Sequence, residues 1–203
     1  MELFRLSIVY LHLIACCVAI GLVLTSDIAM VNQLIKGDTA EKQEAAHLNS
    51  LKKTVSLALV ALWITGFAIV WLDVSAKGFT YFANPKMQAK LTIVALLTLN
   101  GFVLHSAVMP AMEKAGSLLQ MAFNQRMLAI FAGAVSAVSW FYAAMLGVGR
   151  PLAWKYSLVQ LLAAYPALIV AGFAAMVTLT VWSRYRSELD FTQFAEAHSA
   201  EMK

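Results

Sequence analysis

An all-α integral membrane bundle of five transmembrane helices is the fold that the sequence predicts. Of its 203 residues 61% are hydrophobic and only 13% are charged, whereas a soluble domain carries about a quarter charged residues. Mean hydropathy is +0.74. Five apolar runs reach the roughly 20 residues needed to span a bilayer, at about 4–30, 54–73, 90–110, 127–148 and 157–182. Polar segments separate them. The runs make one transmembrane domain over 1–183, followed by a polar tail over 184–203.

The first run lacks an A-x-A-like cleavage site before a soluble domain, and further spans follow it, so it reads as a retained helix rather than a signal peptide. Its adjacent Cys16 and Cys17 point about 100° apart on a helix, a poor geometry for a disulfide. "NQLIKGDTAEKQEAAHLNSLKK" (32–53) is the longest and most charged connection. "SAKGFTYFANPKM" (75–87) places a turn at Asn84-Pro85 before a third helix that opens near Lys90. "MEKAGSLLQMAFNQ" (112–125) is amphipathic and suits the membrane interface. The fourth run spaces Gly133, Ala137, Trp140, Ala144 and Gly147 for close helix packing in lipid. A glycine-proline turn, "GVGRPLAWK" (147–155), leads to the fifth, where Tyr165-Pro166 predicts a kink.

With the N-terminus outside, nine Lys and Arg residues fall on the inner side and six on the outer. The positive-inside rule then places loop 32–53 and the tail in the cytoplasm of a bacterial inner membrane. The net charge of +4 comes without a basic stripe interleaved with aromatics, so nucleic acid is not an expected partner. The surrounding lipid is, and self-association into a homo-oligomer is left open. No GxSxG, P-loop, HExxH or dinucleotide fingerprint is present.

Ionisable groups inside a span mark functional sites by default. His12 and Asp27 lie on helix one, and Lys90 and His105 on helix three; Asp73 ends helix two and reads as an interface residue. His12, Cys16, Ala19, Val23 and Ser26 form one stripe, with Asp27 about 60° from His12 around the axis. Gly101 and Thr98 precede His105 by four and seven residues. Small residues beside each imidazole leave a groove that a flat ligand or a neighbouring helix would fill. Two inward histidines on parallel helices read as axial ligands of one haem b. Their depths differ by roughly 9 Å, which calls for tilt or a late start of helix three. Packing histidines bonded to backbone or hydroxyl groups, and direct proton transfer, are the alternatives. Asp27 is expected to meet His105 and fix its tautomer.

At "YLHLIA" and "AKLTIVALLTLNGFVLH" the chain resembles the HemJ-type protoporphyrinogen oxidases and the loosely related CopD-like copper-resistance proteins. The shared features are the helix-one histidine followed by "LI", an "LKK" stretch leading into helix two with Thr65-Gly66, and a lysine opening "KLTIVALL". The resemblance covers about residues 1–110. It implies an all-helical haem-b membrane protein that oxidises protoporphyrinogen, with a haem-ligating histidine carried onto His12 and a hallmark lysine onto Lys90. Two features depart from it. The family's late helix-one arginine is replaced by Asp27, and its helix-three histidine falls near Gly101 where this chain has His105.

A haem-b redox protein passing electrons to a quinone or membrane partner is therefore the first functional expectation. The second is a cofactor-free transport or accessory protein, such as one handling copper, since ten methionines, two cysteines and inward histidines could pass a soft metal. Against it, the methionines are scattered, with only Met109 and Met112 spaced as a pair. A structural subunit of a larger membrane complex is the third.

Overall fold

The computed structural model describes residues 2–36, 45–152 and 154–201. They form α1 (Glu2–Lys36), α2 (Ala45–Lys77), α3 (Pro85–Val103), α4 (Met109–Ala115), α5 (Phe123–Val148), α6 (Leu158–Leu162) and α7 (Ala164–Glu201). Five helical stretches are long and apolar enough to cross a membrane. The all-helical bundle is as the composition predicts, and the protein is a membrane protein. Of the connection expected over 32–53, residues 32–36 continue α1 and 45–53 open α2, so the loop is shorter than expected, and 37–44 lie outside the described residues.

The bundle's outer surface is apolar, as lipid requires. Leu57, Trp71, Phe102 and Val170 are all more than 60% exposed. Every backbone group within a span is satisfied best by a helix, which is why only helices appear at this depth. α1 packs along α2, while α3 packs on α5 and α5 on α7. The small residues that permit close approach on α5 are Ala129, Ala132 and Ala134. A Cβ built on Gly172 of α7 would sit 3.7 Å from that of Ala134. Of the seam expected from spacing, Trp140 is buried with Ala19, Ala58 and Leu97, whereas a Cβ on Gly133 would meet nothing within 4 Å. Helical periodicity gives the spacing of a seam but not which of two adjacent small residues faces a neighbour.

Boundaries move in physically interpretable ways. Asn84 caps α3 by accepting a 3.0 Å bond from the Lys86 amide, and Pro85 takes the first position, where a missing N–H costs nothing. α3 thus begins five residues earlier than the sequence reading placed it, and Lys90 lies about 7.5 Å inside the helix rather than at its opening. Before Met109-Pro110 the helix widens into one π turn, Leu104–Val108, carrying His105. α4 ends at Gly116, whose φ of 80° suits glycine. The expected kink is present as a break at Ala163 between α6 and α7. Pro166 has no N–H to offer the carbonyl four residues back, at Leu162. α7 continues as helix to Glu201, through the stretch read as a tail.

Candidate functional site: a polar cluster on either side of helix two

His12 is half-buried on α1 and faces α2. Its Nδ1 lies 2.7 Å from the Thr65 hydroxyl oxygen, and that hydroxyl donates to the Ala61 carbonyl at 2.6 Å. The hydroxyl has one proton, directed at Ala61, so its oxygen accepts from His12 Nδ1–H. Nε2 then retains its lone pair. Gly66 makes the approach possible, since a Cβ there would sit 3.6 Å from His12 Cε1. A larger side chain would drive the ring off the helix.

Lys90 of α3 completes this cluster. Its charge acts through space on both His12 and Cys16. Cys16 is one turn beyond His12 on the same face, half-buried and unbridged, while Cys17 is exposed. Lys90 Nζ lies 3.7 Å from where a Gly147 Cβ would stand, at the C-terminal turn of α5, where the helix dipole favours a cation. The histidine, the Thr-Gly pair and the lysine that carry the sequence resemblance are thus gathered at one place in the fold. Spacing along the chain brought together only His12 and Cys16; Thr65 was visible as a motif but not as their partner.

His105 is elsewhere. Its Nε2 lies 2.8 Å from the Ser56 hydroxyl, and two turns away along the same pair of helices Trp63 Nε1 donates to Thr98 at 3.0 Å. Ser56 and Thr65 are nine residues apart on α2, which places them about 13.5 Å apart along the axis and roughly half a turn apart around it. Helix starts agree: His12 is ten residues beyond Glu2 and His105 twenty beyond Pro85, an offset of about 15 Å. The early start of α3 enlarges the difference that a late start was to remove. Metal–imidazole bonds are about 2 Å long, so two axial nitrogens stand about 4 Å apart. As paired ligands of one iron, His12 and His105 do not fit.

The Ser56 hydroxyl of α2 bonds His105 Nε2, on the π turn that follows α3, and Asp27, the expected partner, is half-buried on α1. A Cβ on Gly101, read as a cradle, would meet nothing within 4 Å, so its face is open. Among the described residues no three His, Cys, Asp or Glu side chains converge as a metal site.

Asp73, discounted in the sequence, is 6% exposed and organises one end of the bundle. Arg5 approaches it at 3.2 Å and Lys77 at 3.6 Å. The Tyr81 hydroxyl also bonds it, and burial, then the Asp73 carboxylate, push that phenol up to about 12. Deeper, Tyr142 donates to the Leu161 carbonyl at 2.7 Å, while Ser139 and Tyr165 share a 2.8 Å bond. Nothing in the local sequence marks these pairs, because each joins helices distant along the chain. Compared with protein-family models, curated proteins and solved structures, the chain finds no match.

Proposed function

We propose that the chain is a redox protein of a bacterial inner membrane, with its N-terminus outside and its C-terminus in the cytoplasm, and that His12 is its working group. The observation that carries this reading is the Nδ1–Thr65 bond, which supports a neutral imidazole with Nε2 as donor. A hydrogen-bond acceptor behind a ligating histidine fixes its tautomer and raises its basicity. A haem b would take one ligand, His12, from this chain, and Lys90 is the cation suited to a propionate. When bound, the haem supplies one-electron chemistry between a small reductant, a porphyrinogen among them, and a quinone or membrane partner. The chain's own contribution is the donor, its orientation and a low dielectric.

A reduced-minus-oxidised spectrum of detergent-purified protein tests this. The reading requires a b-type haem in the wild type, its loss in His12→Ala and its retention in His105→Ala. Haem in neither wild type nor variant, or undiminished haem in His12→Ala, overturns it. Orientation is read separately: a cysteine at Lys77 should react with an impermeant reagent from outside, and one at Lys114 only after lysis.

One observation favours a second reading. His12 and Cys16 are one turn apart on the same half-buried face, a nitrogen–sulfur pair suited to Cu(I). Under that reading the purified protein carries copper, Cys16→Ser loses it, and no haem band is present.

A further inference from the structure

The two halves of α1 are held to the bundle in different ways. Over residues 2–18 no side chain is buried. The first buried one is Ala19, packed with Ala58 of α2, Leu97 of α3 and Trp140 of α5. Farther on, Leu34 is buried in a cluster with Val108, Leu118 and Ile130. Apolar packing against several helices therefore fixes the C-terminal half, while the N-terminal half puts nothing into the core. Two side-chain bonds tie that half to α2: His12 to Thr65 at 2.7 Å and Arg5 to Asp73 at 3.2 Å.

The α2 side of the second tie is assembled without α1. Asp73 is 6% exposed, and Lys77, one turn on, approaches its carboxylate at 3.6 Å. Gly78, at φ 76°, ends α2, and the turn after it, Phe79–Ala83, brings the Tyr81 hydroxyl onto the same carboxylate. Lys77 Nζ lies 5.1 Å from the Tyr81 ring centroid. These three groups come from one stretch, 73–81. Arg5 is the one member supplied by α1, and its side chain is 51% exposed. When Arg5 leaves, the buried carboxylate keeps Lys77 and Tyr81, and the guanidinium passes into water. Neither charge is stranded, which is the usual cost of breaking a buried pair. The contact is therefore reversible.

We infer that residues 2–18 of α1 form a gate that pivots near Ala19, with Arg5–Asp73 as its latch, and that its opening admits a ligand to His12, Cys16 and Lys90. His12 and Cys16 ride on the gate, seven and eleven residues past Arg5, whereas Lys90 stays on α3. The motion does not depend on what His12 holds; its use as an entry rests on the redox reading.

Hydrogen exchange of the detergent-purified protein, read by mass spectrometry, tests the latch in Arg5→Gln, Asp73→Asn and the double variant. Amides of residues 2–18 should exchange roughly two- to fivefold faster in each single variant, the effect of one half-exposed ion pair. Residues 19–36 should be unchanged, and the double variant should add nothing to either single one. In a Cys17→Ser background, alkylation of Cys16 by N-ethylmaleimide should quicken by the same factor. Neither measurement needs haem, so both stand if the haem reading fails. Unchanged exchange in both single variants, or an equal rise over 19–36, overturns the gate. Faster exchange with unchanged Cys16 alkylation overturns its role as an entry. Should Asp73→Asn fail to fold, Arg5→Gln, at a half-exposed residue, decides alone.

Discussion

Three ring N–H or imidazole groups within the spans of this protein are held by hydroxyls. Thr65 serves His12, Ser56 serves His105 and Thr98 serves Trp63. Each hydroxyl sits on a helix and can pass its own proton to a carbonyl one turn back, so burial leaves little unmet. Thr65→Val keeps the shape and removes the acceptor. It should destabilise the detergent-purified protein by about 0.6–2 kcal/mol, the span measured for such bonds in membranes and in soluble proteins, whereas Thr65→Ser should restore most of that in a thermal melt. A loss in Thr65→Ser with none in Thr65→Val would mean that the threonine methyl, not the hydroxyl, matters. Outside the spans, Tyr81 makes a different prediction. Its phenol is pushed up to about 12 from an ordinary 10.0, so the fold favours the protonated form. That contribution is fully present below pH 10 and is lost as pH rises through about 12. In a phenolate absorbance titration, Tyr81→Phe should remove a tyrosine ionising near 12 and leave the lower part of the curve unchanged.

At the scale of elements, the helices differ in what they tolerate because their faces differ. α5 buries Ala132 and Ala134 against its neighbours, with Gly172 of α7 opposite Ala134. Ala134→Leu would force extra methyl groups into that contact and should cost about 1–3 kcal/mol, the usual penalty of overpacking. Gly133→Ala, one residue away, meets open space and should be neutral or stabilising by up to about 1 kcal/mol, the helix-propensity difference. Melting the two variants side by side checks the facing of α5; equal losses would mean that Gly133 lies in a contact. Two prolines shape the other elements. Pro166 was legible as a kink because its missing N–H acts locally. Pro110 sits just beyond the π turn, and a π turn has no sequence signature of its own, so the rotation it gives His105 was not legible.

For the whole molecule, what was legible in the sequence is what depends on one helix at a time. Five spans, the stripe of His12 and Cys16 and the Pro166 break all follow from periodicity, length and backbone chemistry, while Asn84-Pro85 was visible as a turn but not as the start of α3. What was not legible depends on how helices meet: Thr65 behind His12, Ser56 at His105, the Asp73 cluster closing one end. Spacing on α1 and α3 made a shared ligand look natural for the two histidines, since nothing in either helix reveals that α2 has a docking hydroxyl on each side. The arrangement of α1, α2 and α3 yields a prediction that separates one site from two. If His12 and His105 bond opposite sides of α2 about 13.5 Å apart along it, their substitutions share no partner. Stability losses in His12→Ala, His105→Ala and the double variant, read from melts or denaturant titration in one detergent, should then add to within about 0.5 kcal/mol. A coupling well above that would show both imidazoles serving one group, and the two-sided arrangement around α2 would have to be abandoned.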